Sequence, residues 1–324
     1  MEEAIYQKEE QAAYQVVRRS WLRQLADREG VLGPLFLAPA VIYIVALVGL
    51  PFILAIAFSL SDVTVGDTTL DFVGLDNFRA IIGDSTFRTA LWQTIVFTLI
   101  VMVLILVLST ILSEILYQDF RGKWLARMLI ILPWATPISL GTLGWLWLLD
   151  SKFSPIDWLL RNWHLLGTPG ALFGAHKNLF YLGRTTLARA SVILVQVWRI
   201  LPLATVIVLA GLTSLSQDLL DQAKVDGAGY FRTLFQVKLP LLLPILSVAV
   251  LFGTIFTFTD MAVVFILTRG GPRYDTQVLA LWAYFKGVEG GNLAHGAAIA
   301  LFFSPLLLAA AIVMLRVARR AEVV

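Results

Sequence analysis

The sequence predicts an all-α protein that crosses a membrane six times and keeps both termini in the cytoplasm. Hydrophobic residues make up 58% of the 324 residues and charged residues only 15%, and the mean hydropathy is +0.80. A soluble domain carries about 25% charged residues, so a water-soluble enzyme is excluded. The net charge of +3 is too small, in so apolar a chain, to indicate nucleic-acid binding.

Six stretches are long enough to span the hydrocarbon core, which takes about 20 mainly apolar residues per helix. They are residues 30–61, 89–113, 128–149, 190–217, 239–268 and 296–315. Only Arg199 interrupts the fourth stretch, and only Asp260 the fifth. Pro133 and Pro137 lie within the third, where we expect a kink because proline has no N–H to donate.

The distribution of basic residues predicts the orientation. Residues 1–30 are mixed in charge, unlike a secretory signal peptide, and we expect them to form a cytoplasmic tail ahead of a transmembrane domain at residues 31–318. With both termini inside, the inner segments carry 14 Lys and Arg residues in 73 positions, against 10 in 94 positions outside. Because Lys and Arg favour the cytoplasmic side, this bias supports cytoplasmic termini.

The segment that joins the fourth and fifth spans, residues 219–238, predicts two short helices with a turn between them. The first helix ends at Ala223 or Lys224, and Asp226 and Gly227 then favour a break, because glycine accepts a positive φ. The second helix covers residues 228–238. It places four apolar side chains largely on one side: Phe231, Leu234, Phe235 and Val237. From the residues alone, an amphipathic connector resting on lipid is one interpretation.

The same segment resembles the cytoplasmic motif of ABC importer permeases, which reads Glu-Ala-Ala, two residues, Asp-Gly-Ala, eight residues, Ile, one residue and Leu-Pro. The matching positions are Ala223, Asp226, Gly227, Ala228, Leu239 and Pro240, with Asp221, Gln222 and Val237 replacing Glu, Ala and Ile. The resemblance implies that this loop docks in a cleft of the cytoplasmic ATPase and transmits its closure to the spans. The residues implied in this coupling are Asp221, Gln222, Ala223, Asp226, Gly227, Ala228 and Phe231.

Other segments are similar to the carbohydrate branch of that family, the maltose-type permeases fitting best. They include Leu132-Pro133-Trp134 in the third span and Phe258-Thr259-Asp260 in the fifth. A following Gly-Gly-Pro sequence predicts a turn by itself. The resemblance implies that its residues, Gly270, Gly271 and Pro272, contact a sugar-loaded binding protein outside the membrane.

The resemblance also implies partners. The sequence has no phosphate-binding loop of the form Gly, four residues, Gly-Lys-Ser or Gly-Lys-Thr, so this chain cannot energise transport itself. We therefore expect ATP and Mg on two separate ABC ATPase subunits and no cofactor on this chain. A second permease subunit, an extracytoplasmic solute-binding protein and the lipid bilayer complete the expected assembly, in the cytoplasmic (inner) membrane of a bacterium or archaeon.

Candidates for a substrate pathway lie in the fourth and fifth spans: Gln196, Trp198, Arg199, Thr257 and Asp260. A sugar site needs polar side chains beside aromatic ones, and a charge inside a span is costly enough to indicate function. Gln196 and Trp198 lie about 200° apart around a helix and cannot both face one cavity, whereas Thr257 and Asp260 can. Alternatively, Arg199 reaches the outer interface or pairs with Asp260. If Asp260 binds sugar hydroxyls, Asp260→Asn should keep more uptake than Asp260→Leu.

These features predict a transport subunit and not an enzyme. The spans offer no catalytic constellation, and with no cysteine and three histidines we expect no metal site. The predicted function is the permease of an ATP-driven importer for a sugar, specifically an oligosaccharide. Import of glycerol phosphate or another polyol is the first alternative, since Arg199 suits a phosphate, and a stand-alone secondary transporter is the second.

Overall fold

The computed structural model describes residues 29–321, and helices dominate them. Within these residues, five helices are long and apolar enough to cross a membrane, or six if one sharply bent pair counts as a single crossing. The five are Gly33–Ser59, Ser85–Tyr117, Thr185–Ser214, Tyr230–Phe258 and Leu293–Arg319. The predicted all-α, polytopic class is confirmed, whereas the predicted tail at residues 1–30 lies almost entirely outside the described residues.

The chain divides into two compact units, residues 1–54 and 55–324. The described part of the first contains helix α1 (Glu29–Ile44), one wide π-helical turn at Val45–Gly49 and the start of α2 (Leu50–Ser59). Pro51 lies two residues after the end of the wide turn, and its ring nitrogen has no N–H to donate to the preceding turn. The first predicted span corresponds to this continuous helical stretch.

In the second unit, the end of α2 is followed by a small antiparallel hairpin of β1 (Ser61–Thr64) and β2 (Asp67–Phe72), in which Ser61 pairs with Phe72. Gly66 makes the turn with a φ of +99°. The sequence predicted only a loop here. The overlooked signal was a β-branched stretch, residues 63–65, followed by glycine and aspartate, which is typical of a hairpin.

A short helix, α3 (Asp76–Gly83), packs the hairpin against the start of the long helix α4 (Ser85–Tyr117). Asn77 donates through Nδ2 to two carbonyl groups of residues 59 and 61, each at 2.9 Å. Asp84 caps α4 by accepting a hydrogen bond of 2.8 Å from the Thr86 N–H, which satisfies one of the free N–H groups of the first turn.

The third predicted span is bent, as its prolines led us to expect, and the bend is sharp enough to divide it into two helices. Helices α5 (Lys123–Ala135) and α6 (Ile138–Leu148) meet at 97°. The break lies at Thr136, whose backbone is extended (φ −75°, ψ 133°), because the residue before a proline is pushed out of the helical region. The kink therefore arises at Pro137, and it is a right-angle bend.

Residues 149–184 form a connection held by one buried carboxylate. Within it, α7 (Pro155–Asn162) begins after Ser154, whose Oγ accepts from the Asp157 N–H at 3.3 Å. Asp157 in turn accepts from the Leu179 N–H at 2.9 Å and from the Tyr181 hydroxyl at 2.8 Å. Burial, and then the hydrogen bond to Asp157, raise the pKa of Tyr181, so the phenol stays a donor.

The fourth and fifth spans and their connection fold into five helices and one π-helical segment. They are α8 (Thr185–Ser214), α9 (Gln217–Val225), α10 (Tyr230–Thr233), the π-helical segment Leu234–Lys238, α11 (Leu239–Phe258) and α12 (Ala262–Leu267). The prediction that the fifth span continues to Thr268 is wrong, because the helix breaks at residues 259–261. Asp260 stabilises the restart by accepting from the Val263 N–H at 3.2 Å.

Helices α4, α8 and α11 enclose the main hydrophobic core. Its buried side chains interdigitate from all three helices: Val101, Met102, Ile105, Val197, Ile200, Ala204, Val208, Leu212, Leu242, Leu246 and Ala249. Gly211 lets α8 approach α11, since a Cβ there would lie 2.8 Å from the side chains of Leu242 and Ile245.

The C-terminal helices are α13 (Leu279–Tyr284), a π-helical segment at Phe285–Glu289, α14 (Leu293–Leu301) and α15 (Phe303–Ala321). The last two correspond to the sixth predicted span. A Cβ on Gly296 would lie 2.5 Å from the Cα atom of Gly287. The π-helical segment and α14 are thus in backbone contact, which only glycine permits at this crossing.

Candidate coupling loop and substrate pathway

The loop between α8 and α11 contains the predicted break between two helices. Helix α9 ends at Val225, and Gly227 adopts a φ of +76°. The N–H groups of Gly227 and Ala228 donate to the carbonyls of Lys224 and Ala223 at 3.0 and 2.9 Å. This is the usual closure of a helix by a left-handed glycine. A residue with a Cβ at this position would destabilise the turn by about 1–2 kcal/mol, because the left-handed conformation brings the Cβ too close to the following carbonyl oxygen.

The second helix of the loop differs from the prediction in its start and in its burial. It begins at Tyr230, and it continues through the π-helical segment into α11. Of the four apolar residues expected on one side, only Leu234 is buried, whereas Phe231 is 72% exposed and Phe235 is exposed as well. Exposed aromatic residues of this size are typical of an interaction surface.

Most of the predicted coupling residues are accessible on this loop. Ala223 is buried and Ala228 is half-buried, and the remaining ones are exposed: Asp221, Gln222, Asp226, Gly227 and Phe231. The Asp221 carboxylate lies 2.7 Å from Lys224 Nζ. Because both side chains are exposed, this pair contributes less than about 1 kcal/mol and leaves Asp221 free to exchange partners.

Three of the predicted pathway residues line one small cavity between α4, α8 and α11. Gln196, Thr257 and Asp260 surround a space of about 20 Å³. Both polar atoms of the Gln196 amide and the Thr257 hydroxyl are buried without a hydrogen-bond partner among the described residues. A cavity of this size holds about one water molecule. The cavity therefore offers unused hydrogen-bonding groups in a space too small for a sugar.

Arg199 and Asp260 form an ion pair, as one of the sequence-based alternatives anticipated. Arg199 Nη1 lies 3.1 Å from Asp260 Oδ1, and the two side chains are only 18% and 9% exposed. Arg199 Nη1 forms no well-aligned hydrogen bond with any described residue, so the contact is mainly Coulombic. The pair joins α8 to the break after α11.

Trp198 lies on the other side of α8, as the helical spacing predicted. Its ring packs edge-to-face on Trp145 with centroids 5.7 Å apart. Both rings line an open groove of about 490 Å³. The rest of its lining comes from Thr136, at the break after α5, and from α6. The aromatic and the polar pathway candidates thus face two different spaces.

The predicted binding-protein contact lies between α12 and α13. Gly270 is buried beneath the Gln277 side chain, whereas Gly271 and Pro272 are half-buried. The exposed tip consists of Arg273 and Tyr274, which the sequence did not single out. This loop is anchored to the start of α8, because Asp275 Oδ1 lies 2.8 Å from Arg189 Nη2.

One cavity residue was missed by sequence reasoning. Thr94 of α4 lines the same small space as Gln196, and its Oγ1 accepts a hydrogen bond of 2.8 Å from the Leu279 N–H. Its only signal in the sequence is a polar side chain inside an apolar span. Within residues 29–321, no group of three or more His, Asp or Glu side chains is arranged to hold a metal ion.

Comparison with known proteins identifies the family. The protein-family model described as "Binding-protein-dependent transport system inner membrane component" matches residues 107–323 of this chain, which contain the whole coupling loop. The chain belongs to this family. It is therefore a membrane-spanning permease subunit of a binding-protein-dependent ABC importer, as the motif at residues 221–240 indicated.

Individual relatives extend the match to nearly the whole permease. This chain is 29% identical over 302 residues to the sulfoquinovosyl glycerol transport system permease protein SmoG of Agrobacterium fabrum, and the match covers 92% of this chain and 94% of the relative. It is 28% identical over 303 residues to the trehalose/maltose transport system permease protein MalF of Thermococcus litoralis, covering 91% and 96%. A bacterial alginate ABC transporter, solved with an alginate-pentasaccharide-bound periplasmic protein, shares the fold, with a TM-score of 0.74, 17% identity and coverage of 94% and 98%.

Proposed function

We propose that this permease is one of two membrane subunits of an ATP-driven importer that takes an oligosaccharide from an extracytoplasmic binding protein. Relatives that match more than nine-tenths of its length are named for trehalose and maltose and for sulfoquinovosyl glycerol. The alginate transporter with the same fold was solved with a periplasmic protein carrying a pentasaccharide. These names support a carbohydrate as the transported solute and a binding protein as its donor.

The observation that carries the proposal is the exposed helix–turn–helix at residues 217–238. Its left-handed Gly227 and its accessible aromatic residues form a rigid, partly apolar knob, which suits docking into a cleft of an ABC ATPase. One such knob serves one ATPase, so two permeases and two ATPases make a complete importer, with ATP and Mg bound by the ATPases. We place this loop and both termini in the cytoplasm, and the permease in the cytoplasmic membrane.

The solute pathway runs, in this proposal, along the faces of α8 and α11 that carry Gln196, Thr257 and Asp260. Their unused amide and hydroxyl groups can hydrogen-bond to sugar hydroxyls. Because the present cavity holds about one water, it must widen before a sugar enters. The open groove at Trp145 and Trp198 supplies aromatic faces, and a second permease has to close it.

The ion pair in the pathway favours a neutral solute over glycerol phosphate. Arg199 lies 3.1 Å from Asp260, so its positive charge is already balanced inside the protein. A phosphate would have to compete with this carboxylate for Arg199 and would meet its negative charge. A neutral sugar makes neither demand.

Reconstitution tests the proposal. The permease is purified with its co-expressed partners and placed in proteoliposomes with ATP inside and the solute-binding protein outside, in the geometry of an importer. We expect ATP-dependent uptake from a panel of labelled neutral oligosaccharides, and little uptake of glycerol 3-phosphate. Uptake of glycerol 3-phosphate in preference to every sugar would overturn the proposed substrate class, and uptake without an ATPase would overturn the proposed mechanism.

A further inference from the structure

The two ends of the coupling loop are held by the same turn of α4. At the start of the loop, Gln217 Nε2 donates to the Tyr117 hydroxyl at 2.6 Å. At its end, Lys238 Nζ lies 2.9 and 2.8 Å from the two carboxylate oxygens of Glu114. The same ammonium group lies 5.4 Å from the centre of the Tyr117 ring. Loop residues 217–238 therefore begin and end on the last turn of α4.

The contact at the end of the loop is shielded from water. The Glu114 and Lys238 side chains are 5% and 12% exposed, so breaking the pair would leave an uncompensated buried charge. The Tyr117 ring adds a cation–π contact on another side of the ammonium group. In contrast, the Asp221–Lys224 pair on the same loop is largely exposed. The attachment to α4 is thus the more buried of the two ion pairs that this loop makes among the described residues.

The same helix reaches the solute cavity. Thr94 of α4 lines the small cavity with Gln196 and Thr257, and it lies twenty residues before Glu114, which is about 30 Å along a helix. Between them α4 is one uninterrupted helix, and Ser113 also donates to the Thr205 carbonyl of α8 at 2.9 Å. A displacement applied at Glu114 therefore has a rigid path to the cavity.

We propose that the Glu114–Lys238 ion pair, seated on Tyr117, locks the coupling loop to α4, so that α4 transmits loop movement to the solute cavity. Glu114, Lys238 and Tyr117 are positioning residues in this scheme and touch neither ATP nor solute. The chain connectivity alone points to α8 and α11, which flank the loop, as the transmitting helices. The inference rests on the proposed coupling role of the loop and adds the second span to the moving parts.

Coupling efficiency tests the proposal in the reconstituted importer. Glu114→Gln removes the charge and keeps the shape. We expect the ATP hydrolysed per solute transported to rise about tenfold, within the usual range of coupling between sites, while the ATPase still co-purifies. The double variant Glu114→Lys with Lys238→Glu restores the pair in reverse, and we expect it to recover most of the coupling.

Lys123→Gln is the matched control. This lysine also binds the end of α4, through the Tyr117 carbonyl at 3.1 Å. Its other hydrogen bond within the described residues goes to Asp119 and not to the loop, so its loss should leave the ratio unchanged. An unchanged ratio in Glu114→Gln would overturn the proposal. A rise as large in the control as in Glu114→Gln would also overturn it, because the effect would then come from the helix end alone.

A cross-linking measurement covers the case in which Glu114→Gln does not assemble. The chain has no native cysteine, so Tyr117→Cys with Gln217→Cys can be joined by a short thiol cross-linker in the resting and the ATP-bound importer. We expect equal cross-linking in both states, since the loop and α4 move together. Loss of the cross-link in one state would refute the proposal. The proposed function fails separately, if Gly227→Val leaves transport and ATPase stimulation intact.

Discussion

The Arg199–Asp260 pair provides the sharpest test of the pathway. With side chains only 18% and 9% exposed, the pair has little help from solvent when one partner is removed. Asp260→Asn can still accept the hydrogen bond from the Val263 N–H, but it leaves the guanidinium group unpaired, and arginine cannot lose its charge. Removing one partner of a buried pair typically costs about 3–5 kcal/mol.

This geometry changes the expectation that came from the sequence alone. The sequence predicts that Asp260→Asn keeps more uptake than Asp260→Leu, because the amide keeps its hydrogen-bonding capacity. Since Asp260 also balances Arg199, we now expect Asp260→Asn to lose stability and uptake nearly as strongly as Asp260→Leu. Uptake should return in the double variant Arg199→Leu with Asp260→Asn, which keeps a polar group in the cavity and removes the orphan charge.

A double-variant cycle measures the effect. The free energy of unfolding is obtained by titrating SDS into the detergent-purified permease, for Arg199→Leu, Asp260→Asn and their combination. We expect the combination to lie within about 1 kcal/mol of the parent, since replacing a buried pair is often neutral, which gives a coupling energy of at least about 2 kcal/mol. Additive losses would show that the two charges do not interact. Uptake by Asp260→Asn equal to that of the parent would remove the pair from the pathway argument.

Three further predictions follow from the backbone and the topology. Gly227→Val should abolish the stimulation of ATPase activity by loaded binding protein, because valine is disfavoured at a φ of +76°. The control Gly229→Val, at a φ of −71° and with open space where its Cβ would lie, should leave the stimulation unchanged. Equal effects of the two variants would exclude the left-handed turn as the cause. Leu172→Cys should react with an impermeant thiol reagent in intact cells and Asp119→Cys should not, and labelling of position 119 would reverse the topology. Gly296→Ala should lower the thermal midpoint of the purified permease, because the new Cβ would overlap the backbone of Gly287 and such overpacking costs about 1–3 kcal/mol. An unchanged midpoint would show that α14 and the π-helical segment separate without cost.

Regular features of the chain were predictable where local chemistry decides them. The spans around α4 and α8 follow from uninterrupted apolar sequence, and the turn at Gly227 from an Asp-Gly pair at the end of an amphipathic helix. These features need no knowledge of distant residues. For the same reason, the predicted ends of these two spans lie within five residues of the ends of α4 and α8.

The remaining features depend on tertiary contacts that periodicity does not encode. Phe231 and Leu234 occupy similar positions in the pattern, yet only Leu234 is covered by the bundle. The break after α11 was missed, because Asp260 looked like a single charge in a long apolar stretch and its cap on Val263 was invisible. Glu114 likewise carried no signal beyond its place at a span end, since its partner lies more than a hundred residues further along the chain.

The two buried ion pairs attach both ends of α11 to its neighbouring helices. Lys238, directly before α11, is bound to α4 through Glu114. Asp260, two residues after the end of α11, is bound to α8 through Arg199. The two attachments are separated by the length of α11, about 30 Å, and both lie where an unpaired charge is expensive. Sliding α11 past either neighbour would break one pair, whereas rotation of all three helices as a block keeps both. In the proposed mechanism the coupling loop is fixed to this block at α4, so a movement of the loop would favour rocking of the whole block over a shift of a single helix.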